Sequence, residues 1–306
     1  MPSQAILVLG AGELGTAVIE ALTFHPQNTP RDSNITILLR PSTINTNDPT
    51  KKAQNAHLTS LGVAFEAGDI ESNSVSDLVK IFKKYHTIIS CSGMYLPSGT
   101  QLKLTRAVLE AGVRRYFPWQ YGIDYDIVGA GSSQNLFDEQ LEVRSLLRAQ
   151  SATDWVIVST GLFMSFLFVP GFGPVDLENR VLRGLGSWDT PVSVTTPRDI
   201  GRMVAELVYD PRGIARQVVY VVGDTVTYGR VAELVEARFG GQWKKEVWDM
   251  DLLRKELGEK PQDSMVKYQN VFAAGKGVAW DKKNTINGER GLDMEDLETY
   301  LRQMNA

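Results

Sequence analysis

Gly10, Gly12 and Gly15 are spaced as G-x-G-x-x-G, with Glu13 and Leu14 filling the loop. The apolar run Ala5-Ile-Leu-Val-Leu9 precedes them and an amphipathic helical pattern follows from Thr16 to about Phe24. Between a buried strand and a helix start, this spacing suits a dinucleotide. Gly10 permits the tight turn, Gly12 lets backbone approach a pyrophosphate, and Gly15 lets the helix pack on the strand. The helix start offers free N–H groups and a positive dipole end to phosphate. A tight turn that binds nothing would use the same glycines. The next apolar strand, Ile35–Leu39, ends at Arg40-Pro41-Ser42. An NAD site would place an acid there for the ribose 2′-hydroxyl, whereas a cation suits a 2′-phosphate. Ser42 adds a hydroxyl donor, so the expected cofactor is NADP(H). Lys51 and Lys52 read as solvated loop charges.

The elements that must position these residues alternate through the first half of the chain. A helical stretch ends near Leu61, and Val63–Ala67 is a short strand. A helix spans 75–85 with Ser74 or Ser76 as cap, and Thr87–Ser90 is the fourth strand. Gln101–Ala111 is a helix stopped by Gly112. Strands at 115–118 and 155–159 flank a helix at 137–149. This alternation implies an α/β fold, a Rossmann-type doubly wound parallel sheet. Residues 1–160 form the dinucleotide-binding domain. Residues 161–306 form mainly a smaller, interwoven substrate-binding lobe with elements returning to the Rossmann sheet, and carry helices at 197–209, 228–239 and 293–303 and a strand at 217–222.

Ligands of such sheets bind beyond the carboxyl ends of the strands. Ser92 and Gly93 would let backbone pass close to the adenine-ribose side. Gln120 joins the cofactor-side set. Trp119, Tyr121 and Tyr125 would line the nicotinamide and substrate side with Tyr95. Phe163, Phe166, Phe168 and Trp188 would offer an apolar wall to a flat aromatic substrate. Aromatic residues at such positions serve packing as often as ligand contact. Asp199 reads as a helix cap, Arg114-Arg115 as a solvated corner, and Gly275–Trp280 as a surface turn.

Bulk properties exclude several function classes. The 306 residues are 43% hydrophobic and 22% charged, with a net charge of −4, unlike the basic face of a nucleic-acid binder. No run reaches the ~20 apolar residues of a membrane span, and no basic region precedes the first strand as in a secretory signal. The single cysteine, Cys91, reads as a buried thiol and fits a reducing, cytoplasmic setting. Three scattered histidines supply no metal-ligand spacing.

The chain resembles the isoflavone reductase-like, or NmrA-like, group of atypical extended short-chain dehydrogenases. The resemblance rests on Leu9–Gly15, Leu39-Arg40, Gly68-Asp69 and Ala111-Gly-Val-Arg-Arg-Tyr-Phe-Pro118. It continues through Gln120-Tyr-Gly-Ile-Asp124, Phe137-Asp-Glu-Gln140-Leu-Glu-Val-Arg144 and Thr195-Thr-Pro-Arg-Asp199-Ile-Gly201, spanning nearly the whole chain. Pro118–Asp126 looks most like fungal aromatic-alcohol-reductase-type members. The resemblance implies hydride transfer from NADPH to a phenolic or related secondary metabolite, with a homodimer compatible. It also implies a lysine in a Phe-x-x-Lys-x-x-Val-Arg helix as general acid or base, and here that position is Gln140. Glutamine donates and accepts hydrogen bonds but does not titrate near neutrality. Three readings fit. Gln140 orients substrate while Tyr121, Tyr125, Asp138 or solvent supplies the proton; the substrate is electrophilic enough to need no strong acid; or the protein binds NADP(H) as a redox sensor. An NADP-dependent isomerase or cyclase is compatible with the same residues.

Overall fold

The structure is a computed structural model describing residues 4–28 and 33–304. Its first strand, β1 (Gln4–Leu9), has a parallel partner along each edge, and its residues Ile6–Leu9 are buried. A strand covered on both faces reads as a continuous apolar run. The chain continues through α1 (Glu13–Phe24), β2 (Ser33–Leu39), α2 (Pro41–Ile44), α3 (Pro49–Ser60) and β3 (Ala64–Ala67). Next come α4 (Val75–Phe82), β4 (Thr87–Ser90), α5 (Thr100–Glu110) and β5 (Arg115–Phe117). Finally, α6 (Tyr125–Val128) and α7 (Asn135–Arg148) lead to β6 (Asp154–Ser159). The helix α1 starts at Glu13, one turn before the expected Thr16. In place of an uninterrupted polar loop after Arg40 stands the short α2, begun by Pro41.

The seven-stranded sheet runs β3-β2-β1-β4-β5-β6, with Gln217–Tyr220 beside β6. Pairing is parallel from β3 through to β6. Strand order reverses at β1, between β2 and β4, which is where a doubly wound sheet opens a crevice at its carboxyl edge. On one face Leu78, Phe82, Leu104, Val108, Val143 and Leu147 pack on Leu7, Leu9, Ile88, Tyr116 and Ile157. Ser74 caps α4 by accepting from the Asp77 N–H, and Gly112 follows α5 at φ +66, as the sequence implies.

Two compact units divide the chain. The first holds residues 1–120, 142–158 and 200–218, and the second 121–141, 159–199 and 219–306. The second unit carries two three-stranded sheets. One orders Asp224–Thr227, Pro191–Thr195 and Leu162–Phe163; the other orders Lys244–Trp248, Val181–Leu185 and Val175–Asp176. Among the described residues no helix is long and apolar enough to cross a membrane, and no group of three His, Cys, Asp or Glu could hold a metal.

Candidate functional site

In the first unit the glycine loop shows why three positions carry no side chain. A Cβ on Gly10, where φ is +97, would fall 1.8 Å from Ser92 Oγ, and one on Gly15 would fall 2.0 Å from the Gly10 carbonyl oxygen. A Cβ on Gly12 would meet nothing within 4 Å. Gly10 and Gly15 are therefore required by the protein's own packing. Gly12 is not, which leaves open space where the motif brings backbone to a pyrophosphate. No side chain caps α1 at Gly12, the end of the helix at which such a motif presents N–H groups and a positive dipole to an anion. Leu14 is buried, while Glu13 is exposed.

Arg40 and Ser42 stand exposed beyond β2. The Arg40 guanidinium lies 3.9 Å from the Glu71 carboxylate, a loose pair between two solvated side chains. Asp69 lies within reach of the Arg40 charge. Burial alone would raise its carboxyl, but N–H groups of Glu71 and Ser72, the Ser72 hydroxyl and Arg40 outweigh this and hold it below the usual carboxylate range. Lys52 is engaged with Asn47 at 3.2 Å, and both Lys51 and Lys52 lie on α3 rather than in a loop.

At the end of β4, Ser92 packs against Gly10 and its carbonyl accepts from Gln101 Nε2 at 3.0 Å. A Cβ on Gly93 would sit 2.0 Å from the Trp119 ring, so the indole lies flat against this backbone. Gln120 is fully buried, and its Oε1 accepts from Arg144 Nε at 2.8 Å. Its side chain thus ties β5 to α7 rather than presenting itself to solvent. Cys91 is buried, and that burial pushes its thiol far above the ordinary range. It is no nucleophile.

The second unit gathers the remaining candidates. Tyr125 meets Phe137 at 4.9 Å between ring centroids, Phe137 meets Tyr268 at 5.7 Å, and Phe166 meets Phe172 at 4.9 Å and Tyr268 at 6.0 Å. Tyr121 is nearly buried and Gln140 fully so. Asp138 Oδ1 accepts from the Gly131 N–H at 2.9 Å, closing the turn before α7. Phe163 is half-buried in a short strand, and Phe168 faces Tyr300 at 6.2 Å.

Several expectations are corrected. Tyr95 is 85% exposed, unlike the packed rings of Tyr125 and Phe137. Trp188 lies outside the ring cluster; its carbonyl accepts from the Gly229 N–H at 2.8 Å. Asp199 does not cap its helix, because the Thr196 hydroxyl accepts the Asp199 N–H while Asp199 Oδ2 accepts the Glu295 N–H. Arg115 is half-buried and donates to the Ile214 carbonyl at 3.2 Å, so only Arg114 is a solvated corner. The segment Gly275–Trp280 is laced inward. Gly277 accepts from the Asp124 N–H, Val278 from the Ser193 N–H, and Trp280 Nε1 donates to Val221.

Sequence reasoning also missed Gln54, which donates to the Ala11 carbonyl at 2.5 Å, and Asp124. The latter caps α6 with Oδ1 and accepts from the Tyr220 hydroxyl with Oδ2. Gln54 lies in no recognisable motif, and Asp124, although it closes the Gln120–Asp124 segment, finds its partners only in the fold.

A model of the NmrA-like family matches residues 2–301. An NmrA-like family domain-containing oxidoreductase of Gibberella moniliformis is 55% identical over 305 residues, 99% of each chain. The phenylcoumaran benzylic ether reductase Betv6 of Betula pendula is 28% identical over 318 residues, 98% of each chain. The leucoanthocyanidin reductase of Vitis vinifera, solved as a binary complex with NADPH, superposes with a TM-score of 0.79 at 20% identity, covering 97% of this chain and 98% of that one. Relatives matched from end to end are thus oxidoreductases, and the chain belongs to the NmrA-like family.

Proposed function

We propose that the protein is an NADPH-dependent reductase of an aromatic or conjugated small molecule. One observation carries the reading. The glycine loop is packed tight at Gly10 and Gly15 and open at Gly12, with an uncapped helix start behind it and an exposed arginine beyond β2. Backbone N–H groups from Gly12 to Gly15 would hold the pyrophosphate, and Arg40 with Ser42 the 2′-phosphate. Trp119, flat on Gly93, would flank the nucleotide. Bound NADPH supplies a hydride. The relative from Gibberella moniliformis, an oxidoreductase similar along its whole length, supports the same class.

Gln140 limits the substrate. It stands where the resemblance implies a lysine, and it has no proton to give. Asp138 is committed to the Gly131 N–H. Tyr121 and Tyr125 are the remaining hydroxyls of the set. This pattern suits an electrophile that accepts hydride without strong acid assistance, such as an iminium ion or a quinone methide. The ring cluster of Tyr125, Phe137, Phe166 and Tyr268 supplies apolar surface for a planar molecule. A cytoplasmic setting in secondary metabolism accords with the single free thiol.

The test is anaerobic NADPH oxidation with iminium ions, quinone methides, enones, aromatic ketones and phenylpropanoid ethers. Turnover should appear with the activated electrophiles and be weak with simple ketones. A second reading, NADP(H) binding without reduction, is favoured by the uncharged Gln140. Tight NADPH binding with no turnover on any class, together with activity gained in Gln140→Lys, would establish that reading instead.

A further inference from the structure

Helix α3 is docked in an unusual way. Leu58 is its one buried residue, so apolar packing explains little of how the helix is held. Polar side chains do the docking instead. Gln54 Nε2 donates to the Ala11 carbonyl at 2.5 Å and contacts Thr16 Oγ1 at 3.3 Å. Asn55 Nδ2 donates to the Thr43 carbonyl at 2.9 Å. His57 Nε2 pairs with Glu20 of α1 at 2.8 Å. Asp48 and Pro49 start the helix, Asp48 accepting the Lys51 N–H at 2.9 Å, so its own beginning is well defined.

These partners share one feature: they belong to the segments that would grip a dinucleotide. The Ala11 carbonyl is part of the planar peptide unit whose other end is the Gly12 N–H, and the two point in opposite directions. Holding the carbonyl toward α3 therefore aims the Gly12 N–H away from it. The Thr43 carbonyl lies in the turn that starts at Arg40, whose own carbonyl accepts from Thr43 at 2.8 Å and Ile44 at 3.1 Å. That turn carries Arg40 and Ser42, and Asn55 ties it to the same helix.

We infer that Gln54 and Asn55 are cofactor-positioning residues, Gln54 acting on the pyrophosphate loop and Asn55 on the 2′-phosphate turn. The inference rests on the NADP(H) reading for the Asn55 half, whereas the Gln54 half applies to either dinucleotide. Because the two side chains are adjacent on one helix, a merely structural role would affect both cofactors alike. A positioning role divides the cofactors at Asn55 and, at Gln54, lowers affinity for both while urea stability stays that of wild type.

The experiment measures NADPH and NADH dissociation constants by nicotinamide fluorescence for wild type, Gln54→Met and Asn55→Ala, with urea stability in parallel. Loss of one such hydrogen bond at a binding loop changes affinity by roughly threefold to tenfold. Gln54→Met should weaken both dinucleotides to that extent. Asn55→Ala should weaken NADPH similarly and leave NADH within about twofold. Wild-type affinities in both variants, or equal losses for both cofactors in Asn55→Ala, would overturn the inference. Where a variant loses its native circular dichroism, Gln54→His and Asn55→Ser keep a donor and should show the same division at smaller amplitude; unchanged affinities there would also overturn it. Wild type without an NADPH preference would refute the 2′-phosphate reading and the Asn55 half, while loss of NADH binding in Gln54→Met would still support the Gln54 half.

Discussion

Arg40 is solvated, and its nearest acid, Glu71, stands 3.9 Å away. A 2′-phosphate would meet both charges: attracted by the guanidinium, repelled by the carboxylate. The guanidinium should dominate, since charge-assisted bonds to phosphate outweigh a screened exposed pair. Arg40→Gln should weaken NADPH about tenfold to a hundredfold and leave NADH unchanged. Glu71→Gln should tighten NADPH about twofold to fivefold, the scale of one exposed charge pair, with no effect in the Arg40→Gln background. Titration of all four proteins with both dinucleotides decides this. Arg40 was legible because its place at a strand end carries meaning. Glu71 was not, because its relevance depends on how the turn after β3 folds back.

At the scale of the element, the β1–loop–α1 turn separates packing from binding. Gly15→Ala drives a Cβ to 2.0 Å from the Gly10 carbonyl, a backbone atom with nowhere to go, and should cost about 2 kcal/mol. Gly12→Ala meets open space at φ −71, an ordinary value for alanine. It should lower stability by only about 0.5–1 kcal/mol, the disadvantage of alanine against glycine at a helix N-cap, yet weaken NADPH binding, which thermal melts and fluorescence titration of the two variants would show. Equal melting temperatures for Gly12→Ala and Gly15→Ala would remove the argument. Local signals served well here: the apolar run of β1, the Ser74 cap and the Gly112 stop are all short-range patterns. They served badly at Asp199 and at Gly275–Trp280. An acid in a first turn looks like a cap whether or not a preceding threonine does that work. A Gly-rich stretch looks like a surface turn even where its carbonyls accept N–H groups from Asp124 and from Ser193 in the strand Pro191–Thr195.

For the molecule as a whole, Cys91 offers a reporter. Its thiol is buried at the end of β4 and held neutral by that burial, so native protein should react negligibly with a thiol reagent at pH 8. Unfolding in guanidinium should release one reactive thiol, and the native labelling rate should slow further when NADPH binds. Fast labelling of native protein would contradict the packing of β4. The chain also passes repeatedly between its two units, so residues 121–141 belong with 159–199 and 219–306, while 200–218 belong with the first 120. Sequence patterns predict that elements of the second half return to the main sheet, and Gln217–Tyr220 lies beside β6. They do not predict where each crossing falls, because alternation of strands and helices records neighbours along the chain rather than neighbours in space.

Sequence by itself determined the doubly wound sheet, the glycine loop and the charge beyond β2, since each depends on periodicity or on a few residues in immediate succession. Tertiary structure alone decided which aromatic residues meet. Tyr125, Phe137, Phe166 and Tyr268 join one cluster, whereas Tyr95 stands in solvent. It alone placed Gln120 under Arg144 and Gln54 on the Ala11 carbonyl, across 24 and 43 residues of chain. The physical reason is common to all of these. A polar or aromatic side chain has no preferred partner until folding brings one within a few ångströms, and no local pattern encodes that meeting.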